Sequence, residues 1–331
     1  MSKKDLKLNP KIFDVPEKIE RAPIRQGFGE GLLMAADNDK KVVALCADLT
    51  ESTKMDLFKK EYPERFFEMG IAEQSMASVA SGMAAMGKIP FISSYAMFSP
   101  GRNWEQIRTT ICYNNMPVKI AGSHAGVSVG PDGGTHQAIE DIALARVIPN
   151  MVVLNPCDAV EAWKATLAAA QTDDPTYIRL TKHPTSIITT DETPFEIGRA
   201  EIFFRPEGDA DVGVIASGHL VYNALRAAKE LDEEGLRVCV MNLSTIKPLD
   251  VRSVVKLAKK TGKIVTVEEH QVAGGMGSAV AETLAEFHPV SMRFVGVKDT
   301  FGQSGESEEL LAHHGMDIES IKNVIRELHA S

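Results

Sequence analysis

The stretch "AGSHAGVSVGPDGGTHQAIEDIALAR" (residues 121–146) decides the fold class. It opens on a β-rich run, "VKIAGS" (residues 118–123), and closes on a helical pattern predicted over residues 136–146. Between them lies a loop with His124, Gly126, Gly130, Asp132, Gly133, Gly134 and His136. Strand, glycine-rich loop and helix in that order form the unit of a parallel α/β sheet. Such sheets bind ligands at the C-terminal ends of their strands, where this loop falls. The glycines permit turns with positive φ and close approach of a ligand to the backbone. A histidine in the first turn of the helix faces the positive dipole end, which favours the neutral imidazole able to bond a substrate hydroxyl or shuttle a proton. His136 is predicted there. A lone histidine is more often structural, but two histidines and an aspartate in one such loop favour a site.

Outward from this unit the same alternation repeats. Strands are predicted at residues 41–48, 151–156 and 176–180, and helices at residues 25–36, 72–86 and 158–170. The expected class is therefore α/β, with two three-layer α/β/α domains and mostly parallel sheets. Residues 183–198, "HPTSIITTDETPFEIG", turn polar and Thr/Pro-rich and read as a linker. A second α/β series follows, with strands near 211–217, 236–243 and 263–269 and helices at 220–234, 250–260 and 277–287. The expected division is an N-terminal arm over residues 1–20, a first domain over 21–185, a linker over 186–208 and a second domain over 209–331. A chain of 331 residues fits two domains at roughly 100–200 residues each.

Bulk properties exclude several classes. A net charge of −9 gives no basic face for nucleic acid. No apolar run nears the ~20 residues that cross a bilayer, and "MSKKDLKLNPKIFD" lacks the apolar core of a secretory signal. The four cysteines (Cys46, Cys112, Cys157, Cys239) show no metal-site spacing and read as reduced, partly buried thiols of a cytoplasmic protein.

Within "MGIAEQSM" (residues 69–76), Glu73 is the sole charge between Glu68 and Lys88. It opens the run "EQSMASVASGMAAMG", apolar at helical spacing and small elsewhere, which predicts an enclosed helix. Alone, Glu73 could be a first-turn acid or a group that a site is built around. "SSYAMFSPGRNWEQ" (residues 93–106) adds Tyr95, Phe98 and Trp104 in a chain only 6% aromatic. Core packing is the default, but the loop context suits a flat apolar slot for a heteroaromatic ring.

These residues resemble the pyrimidine-binding domain of transketolases: "FFEMGIAEQSM", the aromatic loop, and "GSHAGVSVGPDGGTHQAIEDIALARVIPNMVVLNPCD". The segments "VGVIASGHLVYNALRAAKELDEEGLRVCVMNLSTIKPLD" and "FGQSGESEELLAHHG" resemble the transketolase C-terminal domain. The resemblance implies thiamine diphosphate as cofactor. It places on Glu73 the role of activating the aminopyrimidine ring, and on Tyr95, Phe98 and Trp104 the ring slot. The segment "SPGRN" alters the family's loop length, which loosens the match at Trp104. The resemblance assigns Asp132 and His136 to sugar hydroxyls, and His124, Arg25 and Ser52 to the phosphate end. Lys182 stands where an arginine is usual; it keeps the charge and loses the bidentate fork.

A full transketolase also carries a GDG motif for Mg²⁺ and the diphosphate, and none occurs here. The resemblance therefore implies half of a split enzyme, inactive alone, that joins an N-terminal subunit holding the metal in an α2β2 heterotetramer. The implied reaction is transfer of a two-carbon ketol unit between sugar phosphates of the pentose phosphate pathway, with xylulose 5-phosphate as donor. Rival readings are a deoxyxylulose-phosphate synthase-like subunit, an oxo-acid dehydrogenase β-type subunit, and a non-catalytic scaffold. The "GGMG" of residues 274–277 reads as structural rather than as a nucleotide loop.

Overall fold

The computed structural model describes residues 8–13 and 18–331; the rest of the expected N-terminal arm lies outside the described residues. The strands are β1 (Arg21–Pro23), β2 (Val42–Cys46), β3 (Phe66–Glu68), β4 (Ile89–Tyr95), β5 (Lys119–Ser123), β6 (Val152–Leu154) and β7 (Thr176–Arg179). They continue as β8 (Pro184–Ser186), β9 (Glu201–Phe204), β10 (Val212–Ala216), β11 (Val238–Asn242), β12 (Thr245–Lys247), β13 (Lys263–Gln271) and β14 (Ser291–Val297).

The first large sheet has the order β12-β6-β7-β5-β4-β2-β3 and the second β14-β13-β10-β11-β9. Every pairing in them is parallel except β12 on β6 and β9 on β11, each at an edge. Parallel sheets are covered on both faces, and period-two alternation divides their side chains. Val43 and Leu45 of β2 enter one core, while Val42, Ala44 and Cys46 enter the other. The first core runs on into the second domain through Ile215, Met241, Leu243 and Ile264, so the two domains share one apolar interior.

The helix Ile24–Asn38 packs on Ala159–Ala170 with almost no spacing. A Cβ at Gly27 would lie 1.8 Å from the Ala159 carbonyl oxygen, and one at Gly31 2.6 Å from that of Trp163. That close approach fixes Arg25 at the helix start, above the sheet's C-terminal edge.

Three findings differ from the sequence reading. β8 and β9 lie inside residues read as linker; β8 pairs with β1, and β9 edges the second sheet. The linker is also pinned: Asp158 accepts the Ile188 and Thr189 amides, and Lys164 donates to the Thr190 and Thr193 carbonyls. Finally, the helix Asp141–Arg146 begins five residues later than predicted, because residues 127–132 form two 3₁₀ turns broken at Gly130, where φ is +82, and residues 133–140 form irregular chain. His136 therefore stands in a loop, not in the first turn of a helix.

Candidate active site

Glu73 begins the helix Glu73–Ala85 and is 1% exposed. Its carboxylate does not cap that helix. Oε2 accepts instead from Arg102 Nη1 at 2.7 Å, and the Glu73 carbonyl accepts from Asn103 Nδ2 at 3.2 Å. Arg102 is 46% exposed, and its guanidinium lies over the Phe98 ring, 4.6 Å from the centroid. One planar N–H-bearing group thus meets a buried carboxylate and an aromatic face at once. Burying a carboxylate is costly without such a partner.

From Phe98 the contacts run onward. Tyr95 stacks against Phe98 with centroids 6.0 Å apart, and against His124 at 3.8 Å. The His136 ring meets Phe98 edge-on at 5.6 Å, and its Nδ1 bonds Thr135 Oγ1 at 3.0 Å. His124 sits at φ +55 at the end of β5, buried, with Nδ1 2.9 Å from Ser123 Oγ and Nε2 3.2 Å from Arg25 Nη1. Burial pulls its pKa down to about 3, with Arg25, Lys182 and His136 adding to the shift. The imidazole is therefore neutral. Arg25 can only donate, so Nε2 accepts and Nδ1 carries the hydrogen to Ser123. Arg25 Nη1 also donates to the Ser52 carbonyl, while its buried Nε has no partner. Across the mouth, Lys182 Nζ pairs with Asp132 Oδ1 at 2.8 Å.

Glu73, Tyr95, Phe98, His124, His136 and Arg25 thus form one connected group. Ser52 joins it through its backbone, and Asp132 and Lys182 join as an ion pair. Trp104 does not join. Its indole donates to the Leu144 carbonyl at 2.8 Å and its ring packs on the apolar core behind the site. The altered "SPGRN" loop places Gly101 and Arg102 ahead of it, so Arg102 occupies the Phe98 side of the slot. The "GGMG" amides serve an internal carboxylate: Glu268 accepts from Met276 N at 2.6 Å and Gly277 N at 2.7 Å. That fills the anion-binding end of the helix Met276–Phe287, as the structural reading of the motif expects.

Sequence reasoning missed Arg102 and Asn103. The signal available was their place beside Phe98, but pairing with Glu73 spans 29 residues and leaves no periodic trace. Among the described residues, no cluster of His, Cys, Asp and Glu could hold a metal, and no helix is long and apolar enough to cross a membrane. All four cysteines are free and buried.

The helix Glu73–Ala85 is not enclosed by this chain. Its outward face, Gln74, Ser75, Ser78, Val79, Gly82 and Ala85, is exposed, and Met86 beyond it is 85% exposed. A Cβ at Gly82 would meet nothing within 4 Å.

The family profile "Transketolase, pyrimidine binding domain" matches residues 20–186, and "Transketolase, C-terminal domain" matches residues 200–321. A putative transketolase C-terminal section from Methanocaldococcus jannaschii is 42% identical over 92% of this chain and 95% of that protein. A 6-deoxy-6-sulfo-D-fructose transketolase subunit from Clostridium sp. (strain MSTE9) is 38% identical over 94% of this chain and 95% of that protein. The solved structure described as a split gene transketolase, inactive beta4 tetramer, superposes with a TM-score of 0.86 at 41% identity, covering 93% of this chain and 98% of that one.

Proposed function

This chain belongs to the transketolase family, and we propose that it is the C-terminal subunit of a split transketolase. It transfers a two-carbon ketol unit between sugar phosphates only when a separate subunit supplies the diphosphate- and Mg²⁺-binding half of the site. The observation that carries this reading is Glu73: a buried carboxylate that caps nothing and faces a planar cation stacked on Phe98. Arg102 there is a planar group that presents an N–H to the carboxylate, as a ring-protonated aminopyrimidine would, so the residues fit the ring of thiamine diphosphate. Glu73, Phe98 and Tyr95 would hold it. When bound, thiamine diphosphate supplies the thiazolium carbon that becomes the nucleophile.

The chain's own residues then have separable tasks. Glu73 holds and exchanges a proton at the ring nitrogen, a task glutamine cannot perform. Phe98 and Tyr95 exclude water from one side. His136 presents Nε2 to a sugar hydroxyl, with Nδ1 fixed by Thr135. Arg25, with its buried Nε unmatched, supplies a donor for the anionic end of the sugar, and neutral His124 orients it. Lys182 adds a second cation toward that end, and Asp132, paired with it at 2.8 Å, accepts from a sugar hydroxyl.

An exposed face of small and apolar residues on the Glu73 helix supports a partner surface, since such patches mark contacts. A closed assembly with two copies of each chain satisfies that surface by symmetry. The solved relative described as an inactive beta4 tetramer is consistent with a subunit that lacks activity alone. Free, buried thiols and the absence of an apolar spanning helix among the described residues suit a cytoplasmic location. Xylulose 5-phosphate is the donor proposed. One relative is named for a sulfo-sugar, and a sulfonate is an anion of similar shape to phosphate.

The test is copurification of the native complex, then ketol-transfer assays with thiamine diphosphate, Mg²⁺ and a panel of ketose phosphates and sulfonates. The complex should be active and the purified chain silent. Ketol transfer by this chain alone would overturn the proposal.

A further inference from the structure

The loop bearing Asp132 and His136 is anchored from the other domain. Its neck closes where Ala125 bridges Ala138 and the Gly126 amide donates to the Ala138 carbonyl at 2.8 Å. Under that neck lies Glu269 of β13, buried. Its Oε1 accepts the Ser128 amide at 2.6 Å, and its Oε2 lies 2.8 Å from His219 Nε2. Arg179 Nη1 stands 4.0 Å from the same Oε2, and Arg179 Nη2 donates to the Glu269 carbonyl at 2.8 Å. Arg179 is itself oriented by Asp141, whose Oδ2 accepts from Arg179 Nε at 2.9 Å and from the Tyr177 hydroxyl at 2.7 Å. At Gly126 φ is +89, and a Cβ would fall 2.2 Å from the Glu269 carboxyl carbon, so the carboxylate fills the space that the missing side chain leaves. Burial pushes the Glu269 pKa up, but His219 and Arg179 outweigh it and hold it at about 2.

Two further contacts from the second domain reach the same loop. Gln137 Nε2 donates to the Gln303 carbonyl at 2.8 Å, and Ser307 Oγ donates to the Ser128 carbonyl at 2.7 Å. None of these groups belongs to the connected group around Glu73 and Phe98.

We infer that Glu269 is a positioning residue for the sugar-binding loop: clamped by His219 and Arg179, it fixes the bend at Gly126 and Ser128, and so fixes where Asp132 and His136 meet the substrate. The inference rests on the ketol-transfer reading of the site. A purely adhesive role for the same ion pair would weaken the domain contact without favouring this loop over other segments.

Two readouts separate these cases. In the purified chain, amide hydrogen exchange is followed in Glu269→Gln and in the milder Ser307→Ala. Residues 127–137 should exchange at least tenfold faster in Glu269→Gln and severalfold faster in Ser307→Ala, while β2 and β4 keep wild-type rates. In the reconstituted complex, the KM for the ketose should rise about tenfold with kcat within threefold of wild type. Glu269→Asp, whose shorter arm withdraws from Ser128, should not rescue the KM. Wild-type exchange in residues 127–137 in both variants, or loss of kcat at unchanged KM, overturns the inference. If Glu269→Gln does not fold, Glu269→Asp, which keeps the charge and withdraws from Ser128, decides it by the same exchange and KM readouts. A silent wild-type complex would instead refute the ketol-transfer reading and leave the exchange test standing.

Discussion

Replacing Glu73 by glutamine alters a side chain that is 1% exposed and bonded to Arg102 at 2.7 Å. The two consequences have different sizes. For stability, glutamine still offers an acceptor, and Arg102 is 46% exposed and can turn to water. The loss is then one charge-assisted hydrogen bond screened on one side, about 1–2 kcal/mol. For turnover, a positioned group that exchanges a proton contributes ~10²–10⁴-fold, about 3–5 kcal/mol of barrier. The assay pairs urea unfolding of the chain with steady-state ketol transfer by the complex at saturating thiamine diphosphate. Glu73→Gln should lower kcat by at least a hundredfold while the chain stays folded. Adding Arg102→Ala to it should change kcat little, because the two side chains act through one contact. A kcat within threefold of wild type in Glu73→Gln would refute the proton-exchange role.

Acid should destabilise the chain partly through His183, whose Nδ1 is buried without a partner and whose pKa burial lowers to about 3. The unfolded chain takes a proton near pH 6.5 that the folded one refuses. This contribution is therefore intact above about pH 6.5 and lost as pH falls toward 3, by up to about 1.4 kcal/mol per unit. Glu268, pushed up to about 7 by burial, has the opposite sign at pH above its unfolded value. The wild-type minus His183→Gln difference in unfolding free energy isolates the histidine; a difference flat between pH 6.5 and 4 would contradict it. Trp104→Phe should lower stability by about 1 kcal/mol through loss of the bond to the Leu144 carbonyl, with affinity for thiamine diphosphate in the complex within twofold by calorimetry. Lys182→Arg, which can hold Asp132 and still offer a second N–H pair, should lower the KM for phosphorylated relative to unphosphorylated acceptors severalfold.

The helices and strands were legible because apolar periodicity is local. Val42 through Cys46 and Ile24 through Asn38 declare themselves within one window. The helical pattern alone leaves Glu73 open between a first-turn acid and a site carboxylate, and its burial against Arg102 is set by a contact 29 residues away. What failed was set by distant contacts. The glycines before His136 permit a helix start as readily as the loop that Gln137, Gln303 and Glu269 stabilise. Trp104 looked like a slot aromatic until its indole met a carbonyl 40 residues away. Glu269 sits in "VEEH", which reads as the polar end of a strand, and its partner amide at Ser128 is 141 residues upstream.

The strand β12 has a consequence for how the protein is made. It lies beyond the second domain's first two parallel strands in sequence, yet it completes the edge of the first domain's sheet by pairing with β6. A nascent chain that has already released residues 21–185 still exposes the backbone of Val152–Leu154 until Thr245–Lys247 has emerged. Such an unpaired edge is a template for association with other chains. The edge of the first sheet is therefore sealed only by a segment that is synthesised after two parallel strands of the second sheet.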